Sequence, residues 1–287
     1  MRKSRIDDFV DSVLFVIVCY RMPYDKALSV QALSRCGQAI HKKLDVIVFD
    51  NSPSFTHDKI TISSLTIRYV ANKRNLGVSA CYNMAADVLD REYGQKQWLL
   101  LLDQDTDLMD TLLHAYAESI KRYPHQKLFC PRVAMGKLGV AAPFHTRFFH
   151  NRGPYTGPDG VIAVGNIGSI NSGLLIHREV FKKTGGYNPH IPLDFSDYYF
   201  FHRYREKYSS LVVVNVILNH NLSSLEKYSR QKVLRRFAYY IHGARQISAL
   251  DRLKLVLVVA FVRTLKMCAK YRTTKFVKIY FSPDIHI

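Results

Sequence analysis

The sequence predicts an α/β fold with a mainly parallel sheet covered by helices on both faces. Three observations carry that prediction. Apolar runs of strand length alternate four times with helical patterns between residues 13 and 123. The runs at Val13–Tyr20, Leu44–Asp50 and Gln97–Leu102 are nearly continuous in apolar residues, as strands buried on both faces are. Each leads into a polar or charged loop, the place where open α/β sheets bind ligands.

In chain order, Val13-Leu-Phe-Val-Ile-Val-Cys-Tyr20 is the first strand, rich in β-branched residues and broken by Arg21-Met-Pro23. A helical pattern runs from about Tyr24 to Ala39, with Leu28, Val30 and Leu33 among its apolar positions. The second strand ends in Asp50-Asn-Ser-Pro53. Ile60 to Val70 is a third, more alternating strand, and Arg74-Asn-Leu-Gly77 turns into a helix from about Val78 to Tyr93. The fourth strand runs straight into Asp103-Gln-Asp-Thr-Asp107. No Gly-x-Gly-x-x-Gly follows the first strand, which removes the main support for a dinucleotide site.

Thr111 to Tyr123 reads as a helix stopped by Pro124. Phe129–Val133 and Gly160–Ile167 read as strands around a long loop, Gly136–Gly157, functional or mobile rather than structural, whose Phe144, Phe148, Phe149 and Tyr155 are candidate stacking rings. Ile170–Tyr187 reads as a strand, a short helix and a Gly-Gly stop. Leu193–Arg205 opens with Asp194 and Asp197 and continues as a helix, and Leu211–Leu218 is a strand ending at Asn219-His220. Two helical patterns follow, from about Arg230 and from about Ala249 to Lys270.

With 287 residues, 48% hydrophobic and 22% charged, the composition is that of an ordinary globular protein. The charge is not ordinary: 41 Lys and Arg against 23 Asp and Glu leave +18. Fourteen Lys and Arg against three acids from Glu226 onward supply +11 of it, leaving +7 for the first 225 residues. This predicts a domain over 1–225 and a basic helical extension over 226–287. It also implies an anionic neighbour such as a membrane surface or phosphorylated substrate. The apolar run Leu255–Val262 between Lys254 and Arg263 is too short to span a bilayer but suits a helix lying on an anionic leaflet. Nucleic-acid binding rests on charge alone, lacks a motif and leaves the acidic cluster unexplained, so no nucleic-acid partner is expected. Five widely spaced cysteines without Cys-x-x-Cys point to neither a disulfide framework nor a zinc site and fit a reducing cytoplasm. The N-terminal run is a poor signal peptide and a better first strand.

The acidic cluster admits two readings. Asp103 and Asp105 at the carboxyl end of a strand are hard oxygen donors suited to Mg²⁺ or Mn²⁺ and a diphosphate. A solvated loop capping a helix that starts near Asp107 accounts for them equally well. Taken singly, Asp50-Asn-Ser-Pro53 and Asn75-Leu-Gly77 are turns, Asp194 and Asp197 are helix caps, and His220 is an ordinary histidine.

As an ordered set they resemble the inverting glycosyltransferases of family 2, with a GT-A fold, and their bacterial rhamnosyltransferase-like branch in particular. The matching pieces are Val18-Cys-Tyr-Arg21, Val48-Phe-Asp-Asn-Ser52, Arg74-Asn-Leu-Gly-Val-Ser-Ala-Cys-Tyr-Asn83 and Leu101-Leu-Asp-Gln-Asp-Thr106. Asn171-Ser-Gly173, Gly185-Gly-Tyr187, Leu193-Asp-Phe-Ser-Asp197 with Arg203, and His220 complete the series. The resemblance implies that Cys19, Tyr20 and Arg21 line a nucleotide pocket, that Asp50 accepts a hydrogen bond from the base, and that Asn75 and Gly77 border the donor. It further implies that Asp103 and Asp105 sit at the ribose and metal-diphosphate, that His220 helps hold Mg²⁺ or Mn²⁺, and that Asp197 is the base.

Ser196 and Tyr199 stand where the family carries acids, so Asp194 remains an alternative base. The expected function is transfer of a sugar such as rhamnose from a nucleotide-diphosphate donor to a glycan or lipid-linked acceptor in bacterial surface polysaccharide synthesis. The expected place is the inner face of the plasma membrane. The competing reading is a catalytically inactive sugar-nucleotide or glycan-binding module.

Overall fold

The computed structural model describes residues 5–53, 61–109, 111–136, 139–146, 152–220, 229–250 and 254–283; of Arg152 and His220 it describes the backbone alone. Strand β1 (Val13–Cys19), buried along its whole length, lies in the interior of the sheet. It is flanked by β2 (Leu44–Asp50) and β4 (Trp98–Asp103), with β3 (Leu65–Ala71) outside β2, and these four strands are parallel. Beyond β4 the sheet becomes mixed. Strand β12 (Leu175–His177) runs antiparallel to both β4 and β6 (Leu128–Ala134). Strand β13 (Ser210–His220) is parallel to β6, and β10 (Gly160–Ala163) closes the edge. Short strands β5 (Thr106–Asp107) and β7 (Val140–Ala142) pair with β13 and β6. Strands β8 (Phe144–Thr146), β9 (Arg152–Pro154) and β11 (Ile167–Gly168) form a small separate sheet.

The period of two along β1 sorts its side chains into two cores. Val13, Phe15 and Ile17 pack under α1 (Arg5–Asp11), α2 (Leu28–Ala39) and α4 (Thr111–Arg122). Leu14, Val16 and Val18 pack under α3 (Gly77–Glu92), α5 (Arg178–Thr184) and α6 (Ser196–Arg205). Each large apolar side chain so buried contributes roughly 1.5–3 kcal/mol, which is why the register of these strands is strongly set. A third core joins α7 (Arg230–Ser248), α8 (Leu255–Tyr271) and α9 (Lys275–Phe281) to Ile191, Phe195, Tyr198 and Tyr199, so the C-terminal helices pack against the start of α6.

Several boundaries differ from expectation for physical reasons. The helical pattern from Tyr24 splits into a 3₁₀ turn, Tyr24–Lys26, and α2, because Ala27 is extended. The strand expected over Gly160–Ile167 is two strands in two sheets, divided by a left-handed Gly165 and by Val164 N–H donating to the Ser209 carbonyl at 2.8 Å. The long loop carries β7, β8 and β9. Within it Phe144 and Tyr155 are buried, so neither is an exposed sugar-stacking ring; Phe148 and Phe149 lie outside the described residues.

At the opposite end of β4 from the acidic turn, His177 caps α5: its Nδ1 accepts from Glu179 N–H at 3.3 Å while its ring stands edge-on to Trp98. An accepting Nδ1 requires the neutral ring. Burial, then the nearby Lys127 cation, holds the pKa at about 4. The folded state thus resists a proton that the unfolded chain takes up near pH 6.5. Stability is present above that value and falls as pH drops from about 6.5 to about 4. Thermal melts at both ends of this window should show the loss, and His177→Asn, a cap that does not titrate there, should flatten it.

Candidate active site

The parallel register brings three strand ends to one level: Cys19 is opposite Asp50, and Val18 is opposite Asp103. The loops beyond them are cross-linked. Tyr20 N–H donates to Gln104 Oε1 at 2.7 Å, Arg21 N–H donates to Ser52 Oγ at 2.7 Å, and Asn51 N–H donates to the Cys19 carbonyl at 2.9 Å. Arg21 holds a left-handed backbone, φ 54°, and its exposed guanidinium lies 5.2 Å from the Tyr20 ring centroid. A non-glycine residue in that region is uncommon and clusters at functional sites.

Asp50 is buried; its Oδ1 accepts from Ser52 N–H at 2.8 Å and its Oδ2 from Tyr69 O–H at 2.6 Å. Burial and the Asp50 charge both push the Cys19 thiol and the Tyr69 phenol upward, so both stay protonated. Cys19 is fully buried in the core and forms the floor beneath this loop rather than an accessible wall.

After Asp103 the strand does not continue. The chain turns at Gln104 and Asp105 and returns as β5, whose Asp107 and Thr106 pair with Asn219 and His220 of β13. Asp107 is a strand residue, paired with Arg35 at 2.9 Å, and does not cap α4. Asp103 and Asp105 are half-buried carboxylates flanking the turn, and the backbone of His220 lies beside it. The side chain of His220 is outside the described residues. Among the described residues no three His, Cys, Asp or Glu side chains converge on one point. Two accessible hard oxygen donors within three residues nonetheless suit Mg²⁺ or Mn²⁺.

A tyrosine-asparagine chain links the acidic turn to α6. Tyr82 O–H donates to Asp103 Oδ1 at 3.5 Å, and the Tyr82 and Tyr187 rings are 5.1 Å apart. Tyr187 O–H donates to Asn171 Oδ1 at 3.0 Å, and Asn171 Nδ2 donates to Ser196 Oγ at 2.9 Å. Burial, followed by the charges of Asp197 and Asp103, pushes the Tyr187 phenol well up. Next to Asn171, Ser172 Oγ accepts from Asp103 N–H at 3.2 Å and bonds the Thr106 hydroxyl. Asn171-Ser172 thus clasps the acidic turn to the head of α6. Ser196, a position where the sequence resemblance calls for an acid, is buried and occupied by this clasp.

Asp197 lies in the first turn of α6, 8% exposed, with Oδ1 accepting from Tyr198 N–H at 2.8 Å. Asp194 sits just outside the helix, before the left-handed Phe195 (φ 71°), and its Oδ1 accepts from Arg236 Nη2 of α7 at 2.8 Å. Arg203 turns away, to Glu206 at 2.7 Å and the Thr184 carbonyl at 3.4 Å.

Asn75 is also left-handed (φ 49°); its Oδ1 accepts from Gly77 N–H at 3.3 Å, and its Nδ2 donates to Tyr239 Oη of α7 at 3.4 Å. Gly77 opens α3 at φ 77° against Pro192, whose carbonyl accepts from Val78 N–H at 2.7 Å. Arg236, Tyr239 and Tyr82 are absent from the sequence-level site. The first two lie in a helical stretch with no local signal tying them to Asp194 and Asn75, whereas Asn171 and Ser172 stood in a quoted motif without a role.

A mixed, mainly parallel sheet with its acidic turn at the end of β4 and helices on both faces is a GT-A type architecture. In keeping with that class, the chain is similar in structure to GalNAc-T7 solved with UDP, GalNAc and Mn²⁺, with a TM-score of 0.55 over 95% of this chain and 56% of that one at 13% identity. It is also similar to S. aureus TarS, with a TM-score of 0.50 over 80% of this chain and 39% of that one at 14% identity. Against TarS 1-349 the TM-score is 0.51, with 94% and 89% covered at 11% identity. The chain thus spans just over half of GalNAc-T7 and about two fifths of TarS. At such identities the likeness is one of fold. No protein-family model and no curated protein sequence matches the chain.

Proposed function

We propose that the chain is an inverting, metal-dependent glycosyltransferase that moves a sugar, rhamnose being one candidate, from a nucleotide-diphosphate donor to a glycan or lipid-linked acceptor in bacterial surface polysaccharide synthesis. The observation that carries this reading is the union, through Tyr82, Tyr187 and Asn171, of an accessible acidic turn with a carboxylate at a helix head.

In this reading the Arg21 and Tyr20 platform and Asp50 receive the nucleotide, with Asn75, Gly77 and Asp103 along the donor. A divalent cation held by Asp105 and His220 would neutralise charge developing on the departing diphosphate. Asp197 takes the proton of the acceptor hydroxyl as its oxygen bonds the anomeric carbon and the carbon–diphosphate bond breaks. Attack from the face opposite the leaving group inverts the centre, and no covalent intermediate with the protein is required. The ion pair with Arg236 occupies Asp194, which favours Asp197 as the base.

Release of nucleoside diphosphate from a panel of nucleotide-sugars, with Mg²⁺ or Mn²⁺ and with chelator, tests the proposal. Metal-dependent release with at least one donor is expected. Tight nucleotide binding with no turnover on any acceptor would instead identify a binding module.

A further inference from the structure

Five large apolar side chains on two C-terminal helices, 36–65% exposed, make one surface: Val258, Phe261, Val262 and Leu265 of α8 and Phe281 of α9. The first four follow the spacing of one helical face, and they stand away from the Val256, Ala260 and Thr264 face that α8 buries. The Phe261 ring lies 6.2 Å from that of Phe281, so the stripe passes without interruption from α8 to α9. Elsewhere among the described residues the exposed large apolar side chains are scattered singly over other elements, which needs no explanation.

The stripe is bordered by charge of one sign. Residues 254–283 contain seven Lys and Arg and no Asp or Glu; Lys266 and Lys270 are exposed along one side of α8, while the Arg263 guanidinium lies 4.1 Å from the Tyr240 ring centroid of α7. No described helix is long and apolar enough to cross a membrane. The geometry points to α8 and α9 as a docking surface for an anionic lipid bilayer, with the aliphatic and phenyl groups entering the headgroup boundary and the cations meeting lipid phosphates. A second copy of the chain would set like charges against like. A purely electrostatic partner such as nucleic acid leaves the Val and Leu stripe without a role.

Docking would also orient the proposed site. Helix α7, which bonds Asp194 and Asn75, packs in the same core as α8 and α9. The head of α6 thus shares one packed core with the helices that carry the docking surface. The inference about the surface does not depend on the proposed chemistry.

The experiment is flotation of the full chain with vesicles of phosphatidylcholine, with and without phosphatidylglycerol. Binding is expected only with the anionic lipid, weakening with salt. Val258→Asn with Leu265→Asn, and separately Lys266→Glu with Lys270→Glu, should each reduce it by about tenfold or more with circular dichroism and melting unchanged. Equal binding to both vesicle types, or undiminished binding by the Val258→Asn and Leu265→Asn protein, overturns the inference. So does sedimentation showing a dimer that this same variant dissociates. Vesicle binding is read without any sugar transfer, so its failure is distinct from failure of the proposed activity.

Discussion

Asp197→Asn is expected to slow sugar transfer by ~10²–10⁴-fold, the range a positioned general base supplies, while leaving nucleotide affinity nearly unchanged. The amide is close in size to the carboxylate and can still accept from Tyr198 N–H, so the head of α6 should hold its shape. What disappears is the basic oxygen that takes the proton. Asp194→Asn is expected to cost much less, because its main effect is to weaken the contact with Arg236. Nucleoside diphosphate release and calorimetric nucleotide binding, measured on both variants, separate the two roles. A large loss in Asp194→Asn with Asp197→Asn still active would reverse the assignment of the base.

Gly77→Ala should be the most disruptive small substitution near the donor side. A Cβ there would lie 2.3 Å from the Pro192 carbonyl oxygen and 2.4 Å from the Pro192 Cβ, at a backbone φ of 77°. The left-handed backbone costs an L-residue about 1–2 kcal/mol, and relieving the clash costs about 1–3 kcal/mol, so a loss of roughly 2–5 kcal/mol follows. Relief means moving α3 away from the Ile191–Pro192 segment that Val78 N–H and the Ser79 hydroxyl bond. Asn75 would move with it, and nucleotide affinity should fall together with the urea midpoint. Gly94, whose Cβ would meet nothing within 4 Å, is the matched control. An unchanged midpoint for Gly77→Ala beside that control would show that this junction is softer than its packing implies.

The parts of the fold legible in the sequence are those where one local pattern decides the outcome. Strands β1, β2 and β4 are buried on both faces, so their apolar runs coincide with their boundaries almost to the residue. Helix α1 is short and half charged, and β12 has three residues, too few to show any period. Helix α9 follows a left-handed Arg272, a break that no local pattern marked.

Within the candidate site, Asp103 stood out at the end of a legible strand, whereas Asp50 and Asp197, a turn and a helix cap when taken singly, were singled out only by the family resemblance. Whether Asp103-Gln-Asp105 ran on as a strand or turned was decided by β13, more than a hundred residues later, which captures Thr106 and Asp107. The pairing of Asp194 with Arg236 likewise rests on the packing of a distant helix. Such long-range pairings carry no periodic signature in the chain.

The contacts that α7 makes also bear on where the chain can be shortened. Gly243 passes so close to the Asp194–Phe195 backbone that a Cβ would lie 2.5 Å from the Asp194 carbonyl oxygen, and Ile191 is fully buried in the core shared with α7. A truncation ending at residue 225 would bare Ile191 and Phe195, strip Asp194 of its guanidinium and Asn75 of its phenol partner, and leave two left-handed residues to relax unsupported. Such a fragment should be poorly soluble, and its loss of activity would report collapse of the pocket rim rather than removal of a targeting tail.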